Sequence, residues 1–236
     1  MVSVRVPTGG RVDSPGVRRV DLAREGAIEV VVDHLRTGGL LAYPTETLYG
    51  LGCLLQDEAL ARLARFKGRE LHKPFLLLVG DRMSLRGLRW TDSARALADA
   101  FWPGPLTLVL QDEVGAYPRQ VRGPGSGVAV RVSPRRELTQ LFSRLDEPLT
   151  STSANRAGEQ ACARSEEVAA LLEQDPEGLD GWLLVEGAGF VPGPPSTIVD
   201  CTGELPAVIR SGAIPPSILS TVVSDTDDRT ESRNER

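Results

Sequence analysis

The sequence predicts an α/β fold in which flanking helices cover an open, twisted sheet of mixed strand direction. Segments with apolar residues at helical spacing alternate along the chain with short apolar runs. Most of the short runs are bounded by proline, glycine or hydroxyl residues, which commonly end strands. No internal repeat or long linker interrupts residues 21–220, so we interpret them as a single domain.

Five helices are predicted from apolar positions that recur every three or four residues. A pair of glycines stops the first helix, aspartate and threonine are suited to cap the second and third, and a Ser-Pro pair supplies a cap followed by proline for the fourth. In chain order, the helices are expected to begin at or near Ile28, Asp57, Thr91, Ser133 and Glu166.

The strands are predicted from short apolar runs that are too brief for helices. The expected strands are residues 40–43, 75–79, 106–110, 128–132, 148–151, 182–185, 197–200 and 207–210. In sheets of this type, ligands bind on the loops beyond the strand ends. Polar residues next to these strands are therefore the candidates for a functional site.

The two ends of the chain differ from the middle. Residues 1–20 lack a helical period, and we interpret them as a flexible leader that could end in a short strand; residues 221–236 are almost wholly polar and indicate a disordered tail. The N-terminus shows no apolar core of a secretory signal. No apolar run approaches the roughly 20 residues that a membrane span needs. We therefore expect a cytoplasmic protein without membrane contact.

Composition excludes several classes of function. The chain of 236 residues carries 27 basic and 32 acidic side chains, a net charge of −5, which argues against a dedicated nucleic-acid binder but leaves a local basic groove open. Cys53, Cys162 and Cys201 are far apart and form no CxxC pair, so neither a zinc site nor a disulfide framework is indicated. Sequence signatures of P-loop proteins, zinc hydrolases and serine hydrolases are absent.

Six polar motifs lie beside the predicted strands. Alone, each also fits a turn, a helix cap or a solvated helix end. Two carry more information: the cations Lys67, Arg69 and Lys73 fall within seven residues and favour a phosphate or carboxylate ligand. Arg131 lies in an apolar strand and needs either a protein carboxylate or an anionic ligand, because burying an unpaired charge is costly. The motifs are PTETLYGLG (44–52), KGRELHKP (67–74), VAVRV (128–132), TSTSAN (150–155), PPSTIVD (194–200) and VIRSG (208–212).

The order and spacing of these motifs resemble the YrdC/TsaC family of L-threonylcarbamoyladenylate synthases, over about residues 25–215. The resemblance extends to the stretches GGLLAYPTETLYGLGC, FWPGPLTLVL and VIRSGAI. It implies a YrdC-like catalytic domain with a concave basic groove. It also implies that L-threonine, bicarbonate and ATP with magnesium are converted to threonylcarbamoyl-AMP and pyrophosphate. A downstream threonylcarbamoyl transferase would then modify tRNA, and weak RNA binding by this chain is left open.

The same resemblance implies roles for individual residues. Lys67 and Arg69 would be the catalytic cations, and Tyr49 would wall the pocket. The residues expected to bind threonine are Thr47, Arg131, Ser151 and Ser196. Those expected to bind ATP are Lys67, Arg69, Lys73, Gly127, Ser153, Asn155 and Arg210. No side chains are expected to bind a metal ion directly.

Three departures from the family pattern stand out. Leu78 occupies a position where some relatives carry histidine near the threonine, and Ala161 and Cys162 lie where a further hydroxyl is frequent. Some relatives also have a second domain over the ATP site, for which this chain ends too soon. Two alternative functions stay open: a double-stranded RNA or tRNA-binding module without catalysis, and a carbamoyl-transfer module that acts on another substrate.

Overall fold

The computed structural model describes residues 17–68, 73–186, 191 and 193–224. Within these residues, eleven strands form one open sheet: β1 (Arg18–Val20), β2 (Leu40–Pro44), β3 (Tyr49–Gly52), β4 (Leu76–Val79), β5 (Leu88–Arg89), β6 (Leu106–Asp112), β7 (Gly127–Val132), β8 (Leu149–Ser153), β9 (Trp182–Val185), β10 (Thr197–Asp200) and β11 (Ala207–Arg210). The helices are α1 (Ala27–Arg36), α2 (Asp57–Lys67), α3 (Asp92–Phe101), α4 (Arg136–Phe142), α5 (Ser165–Leu172) and α6 (216–224). Short 3₁₀ turns occupy Arg82–Ser84 and Pro124–Ser126.

The sheet consists of two halves that share strand β8. The strand order is β1-β9-β2-β3-β8-β4-β7-β6-β10-β11, and β5 pairs with β6. The first part of β8, Leu149 to Ser151, pairs antiparallel with β4, whereas Thr152 and Ser153 pair antiparallel with β3. Parallel pairs occur in both halves, between β2 and β9 and between β4 and β7. The expected open, mixed α/β sheet is therefore confirmed.

Thr150 fastens the seam between the two halves. It is fully buried, its amide donates to the Cys53 carbonyl at 2.9 Å, and its hydroxyl accepts from the Cys53 amide at 2.8 Å. The Tyr43 hydroxyl donates to the Thr150 carbonyl at 2.8 Å. Because these groups are buried, each contact also satisfies a polar atom that would otherwise be costly. The seam is consequently a fixed part of the fold.

Helices cover both faces of the sheet. Alternate residues of β2 enter different apolar clusters: Leu40 and Ala42 pack with α2, α3 and α5, whereas Leu41 packs with α1 and α4. This alternation follows from the period of two along a strand. It also explains why the central strands read as continuous apolar runs, as strands buried on both faces do.

The structure corrects two expected helix caps. Helix α2 has Gln56 as its N-cap, and Asp57 is its first helical residue. Helix α4 has Arg135 as its N-cap rather than Ser133. The Ser133 hydroxyl donates to the Glu46 carboxylate at 2.5 Å and accepts from the Arg135 amide at 3.3 Å, and the backbone at Arg135 is still extended, so the helix begins only at Arg136. Thr91 caps α3 as predicted, with its hydroxyl accepting from the Ala94 amide.

Strand β3 was missed by the sequence analysis, which interpreted residues 44–52 as a polar loop. These residues form the turn and second strand of an antiparallel hairpin with β2. Two glycines lower the strand propensity of β3 but are required by packing. A Cβ atom at Gly52 would lie 1.9 Å from the Thr150 carbonyl oxygen, and one at Gly50 would lie 2.9 Å from the Tyr43 ring.

The ordered domain extends beyond the expected boundaries at residues 21 and 220. Strand β1 lies within the expected leader and pairs with β9, and residues 221–224 continue α6 into the expected tail. Val222 and Val223 pack against the larger apolar cluster, which explains why the helix continues. Residues 1–16 and 225–236 lie outside the described residues, and so does Arg69. Across the described ranges, no helix is both long and apolar enough to cross a bilayer.

We predict that Gly52→Ala lowers the free energy of unfolding by at least about 2 kcal/mol, because the methyl group collides with a backbone carbonyl at the seam. Urea denaturation measures the change. Gly203→Ala is the matched control, since the nearest atom to its Cβ is 3.7 Å away, and should stay within about 0.5 kcal/mol of the wild-type value. Equal stability of the two variants would contradict the close approach.

Candidate functional site

A cavity of about 800 Å³ opens where the two halves of the sheet meet. Its walls come from the β2–β3 hairpin, β4, β7, β8, β10 and β11, so it collects segments that are far apart in sequence. Its basic groups are Arg131 and Arg210, while Glu159 and Asp200 contribute carboxylates. Within the described residues, the expected basic groove is thus mixed in charge.

The four residues predicted to bind threonine all line this cavity. Each is nearly buried, with exposed fractions between 2% and 9%. They are Thr47, Arg131, Ser151 and Ser196. Because they come from the hairpin, β7, β8 and the start of β10, only the folded sheet brings them together.

The hydroxyl groups of the hairpin turn are ordered by Thr45. Its Oγ1 donates to the Leu48 carbonyl at 2.7 Å and lies 3.0 Å from Thr47 Oγ1. The oxygen of Thr45 also accepts from the Thr47 and Leu48 amides at 3.2 Å, and either threonine hydroxyl can be the donor in the contact between them. The Thr47 hydroxyl is thus held at the cavity wall, where it can donate to a ligand or accept from one.

Arg131 is partnered by a carboxylate of the protein. Its Nη1 lies 3.2 Å from Glu46 Oε1, and both side chains are largely buried. Within the described residues, Arg131 Nε has no hydrogen-bond partner. The sequence left a protein carboxylate and an anionic ligand open as partners for this arginine. The structure shows that Glu46 is the protein carboxylate. One face of the guanidinium group still borders the cavity.

A second guanidinium borders the same cavity. Arg210 donates through Nη2 to the Ser196 carbonyl at 2.8 Å and to Ser196 Oγ at 3.1 Å. Burial lowers the pKa of Arg210, and repulsion from Arg131 adds to the shift. Arginine stays charged at neutral pH nevertheless. An anion between the two arginines would relieve this repulsion, so the cavity favours anionic ligands.

Another part of the cavity wall is formed by the end of β8 and the turn that follows it. Ser153 and Asn155 line the cavity, and the Ser153 hydroxyl donates to Asn155 Oδ1 at 2.7 Å. Lys67 is buried and holds this turn. Its Nζ donates to the Ser153 carbonyl at 2.8 Å, the Asn155 carbonyl at 2.5 Å and Asn155 Oδ1 at 2.6 Å. Lys67 is not among the residues that line the cavity in the described part of the chain.

The remaining predicted residues divide into two groups. Gly127 and Tyr49 line the cavity, as does Ala161. Lys73 is exposed and is not among the lining residues, although Pro74 beside it is. Leu78 is buried in the apolar cluster with α1 and α4, so it takes no part in the cavity wall.

Glu46 and Thr45 are the site residues that the sequence analysis missed. A buried arginine in β7 called for a carboxylate, and Glu46 lies within a motif already singled out. This signal predicted a carboxylate partner, but the separation of 85 residues gave no means of choosing Glu46. Thr45 left a weaker signal, since threonine hydroxyls also bond to the backbone in ordinary turns.

The three cysteines are not among the residues that line the cavity in the described part of the chain. Burial raises the pKa of Cys53 and of Cys201 to about 12, so both are thiols at neutral pH. Burial also raises the pKa of Cys162, and the nearby Glu167 and Glu159 carboxylates add to the shift. Among the described residues, no cluster of three or more His, Cys, Asp and Glu side chains is placed to hold a metal ion.

Fold and cavity together define an α/β domain that presents arginine and hydroxyl side chains to a ligand at the junction of two half-sheets. The chain belongs to the Sua5/YciO/YrdC family: the family model, which carries the description "Telomere recombination", matches residues 33–212.

Named relatives agree with this assignment. A threonylcarbamoyl-AMP synthase of Chromohalobacter salexigens is 42% identical over 171 residues, which are 70% of this chain and 88% of the relative. The threonylcarbamoyl-AMP synthase of Pyrococcus abyssi is 31% identical over 205 residues, which are 85% of this chain but only 58% of the relative. The crystal structure of P. abyssi Sua5 complexed with L-threonine has a TM-score of 0.77 at 30% identity, covering 87% of this chain and 60% of that one.

We predict that Glu46 and Arg131 are energetically coupled. Glu46→Gln and Arg131→Met should each lower the free energy of unfolding by about 1–3 kcal/mol, since each leaves a buried partner without its counter-charge. The double variant should lose about 1–3 kcal/mol less than the sum of the single losses. Urea denaturation of the four proteins measures this difference, and losses that add to within about 0.5 kcal/mol would contradict the pair.

Proposed function

We propose that this protein is an L-threonylcarbamoyladenylate synthase, which forms threonylcarbamoyl-AMP and pyrophosphate from L-threonine, bicarbonate and ATP. The observation that carries the proposal is the grouping of Thr47, Ser151, Ser196 and Arg131 in one cavity that continues to the Ser153–Asn155 turn. Membership of the family and the names of the relatives support it.

Threonine would occupy the part of the cavity near Arg131. The guanidinium group pairs with the substrate carboxylate, for which its planar geometry is suited. The Thr47 hydroxyl makes a hydrogen bond to the substrate amine or hydroxyl, and its contact with Thr45 holds it in place. Ser151 and Ser196 complete the polar wall on either side.

ATP would occupy the part between Arg210 and the turn after β8. Arg210, Lys73 and Arg69 supply positive charge for the phosphates, and Ser153 and Asn155 supply short polar contacts. Lys67 fixes the turn through its three hydrogen bonds to Ser153 and Asn155. Gly127 borders the end of the cavity assigned to the adenine. Magnesium would enter as the ATP complex, where it neutralises phosphate charge.

The reaction needs no protein nucleophile. The threonine nitrogen bonds to the bicarbonate carbon with loss of water, which gives N-carboxythreonine. An oxygen of the new carboxylate then bonds to the α-phosphorus of ATP, while the bond from that phosphorus to the bridging oxygen breaks and pyrophosphate leaves. Charge neutralisation and positioning are the main requirements of such transfers. A site rich in arginine and hydroxyl groups meets both requirements.

The product would be used by a threonylcarbamoyl transferase that modifies tRNA. We propose the cytoplasm as the compartment, because all three cysteines are free thiols, as is usual in a reducing environment.

The direct test is incubation of the purified protein with ATP, magnesium and bicarbonate, with and without L-threonine. We expect pyrophosphate and a species with the mass of threonylcarbamoyl-AMP only when threonine is present. D-Threonine is the matched control for the stereochemistry of the site. Pyrophosphate release that does not depend on threonine, or no adenylate at all, would contradict the proposal.

We predict that Arg69→Ala and Arg131→Ala each lose about 2–4 kcal/mol of transition-state stabilisation, as expected for removal of one positioned charge. Values of kcat/KM from pyrophosphate release measure the loss. Arg65→Ala is the control, because Arg65 is an exposed arginine of α2 that pairs with Glu177 at the surface. Near-normal turnover in both test variants would defeat the assignment of these roles.

We further predict that Thr47→Val raises the KM for L-threonine about 10-fold while leaving the KM for ATP nearly unchanged, since it removes a hydroxyl from the threonine half alone. Thr47→Ser keeps the hydroxyl and should stay within about 3-fold of wild type. Steady-state kinetics with each substrate varied in turn provides the comparison. An equal rise in both KM values would count against this division of the cavity.

A further inference from the structure

Arg156 and Lys67 cross between the same two segments in opposite directions. Lys67, the last residue of α2, donates to the carbonyls of Ser153 and Asn155 in the turn after β8. Arg156 follows Asn155 in that turn and donates through Nη1 to the carbonyl of Phe66, the residue before Lys67. Each segment thus has a cationic side chain that donates to a backbone carbonyl of the other segment. We call this arrangement the crossed clamp.

The Phe66 carbonyl requires a donor from outside the helix. In the last turn of α2, the Gly68 amide is used by the carbonyls of Ala64 and Arg65. The final carbonyls of a helix have no partner within it, and a cation is favoured there by the helix dipole. Arg156 meets both needs, and its guanidinium carbon also lies 4.1 Å from the centre of the Phe66 ring.

Only a forked side chain can make the full set of contacts. While Nη1 of Arg156 contacts Phe66, its Nη2 donates to the Gln174 carbonyl, just after α5, at 2.7 Å. Lysine has one nitrogen and cannot span two separate carbonyls in the same way. Arg156 therefore links the ends of α2 and α5 to the turn that carries Asn155.

The groups behind the crossed clamp are themselves fixed. The Phe66 and Trp182 rings lie 4.9 Å apart, and Trp182 Nε1 donates to Asp175 Oδ2 at 2.6 Å. Arg62 contacts the same carboxylate oxygen at 3.1 Å. The Phe66 carbonyl thus has a defined place, so loss of Arg156 would act on the turn after β8.

We propose that Arg156 is a positioning residue for the nucleotide half of the cavity. It is not among the lining residues of the described cavity and acts through Asn155 and Lys67. The inference rests on the proposed function for the identity of the nucleotide. Under this inference, the two halves of the site have different supports. The crossed clamp orders the ATP half, whereas the threonine half depends on the hairpin and on Glu46.

The test compares Arg156→Ala and Arg156→Lys with wild type and with Arg65→Ala. The last variant removes an exposed arginine from α2, the helix whose end Arg156 contacts. Steady-state kinetics gives the KM for ATP and for L-threonine separately. Calorimetry with the non-reactive analogue α,β-methylene-ATP and magnesium measures nucleotide affinity directly, and thermal unfolding measures stability. A purely structural role would lower the unfolding temperature and leave both KM values unchanged.

We expect Arg156→Ala to raise the KM for ATP and the dissociation constant of the analogue about 10-fold, with the KM for L-threonine within about 2-fold of wild type. For Arg156→Lys, both constants should fall between those of Arg156→Ala and wild type. If Arg156→Ala does not fold, a selective rise of the two nucleotide constants in Arg156→Lys decides the test. Arg65→Ala should match wild type in all three constants.

Equal changes in both KM values, or none, would overturn the proposal while leaving the synthase activity intact. If the wild-type protein binds the analogue but makes no threonylcarbamoyl-AMP, the proposed function fails, and a selective loss of analogue binding in Arg156→Ala still supports the crossed clamp. Failure of the wild-type protein to bind the analogue would overturn both.

Discussion

The change of partner along β8 is the constraint on which the rest of the structure depends. A strand of five residues joins two half-sheets, and its hydroxyl-rich sequence places side chains on the concave side of the junction. The seam around Thr150 holds the strand against β3 so closely that Gly52 cannot carry a side chain. The cavity and the seam therefore both depend on β8, and a change that loosens this strand would disturb both halves of the site.

The cations near the cavity serve different purposes. Lys67 and Arg156 are directed at backbone carbonyls and hold one segment against another. Arg131 and Arg210 border the cavity itself, where their mutual repulsion favours an anion. A count of positive side chains would treat these four residues alike. Only their partners show which of them stabilise the fold and which can meet a ligand.

The sequence predicted the fold wherever a local period was strong. The apolar spacing from Ile28 to Leu35 predicted α1, and the hydroxyl of Thr91 predicted the start of α3, because both signals lie within a few residues. The sequence analysis missed strand β3 because its glycines are required by close contacts with other strands, such as that of Gly52 with the distant Thr150. The N-cap expected at Ser133 was wrong because the backbone stays extended through Arg135, while the Ser133 hydroxyl contacts the distant Glu46 carboxylate.

For the candidate site, the sequence predicted the residues that line the cavity but not the partners that hold them. Residue types and motif order identified Thr47, Arg131, Ser151 and Ser196, and the sheet brings all four to one cavity. The partner of Arg131 could be expected as a class, a carboxylate, but not as a residue, because pairing across two strands leaves no mark on spacing. The same holds for the position of the Thr47 hydroxyl, which depends on its contact with Thr45.

The contact between Glu46 and Arg131 has a consequence for selectivity among the many small anions of a cell. Because Glu46 already pairs with Arg131, a small anion such as acetate would gain less from this guanidinium than from an unpaired one. A ligand that also engages the surrounding hydroxyl groups would gain further contacts. Under the proposed function, this arrangement would favour an amino acid with several matching groups over small anions that lack them.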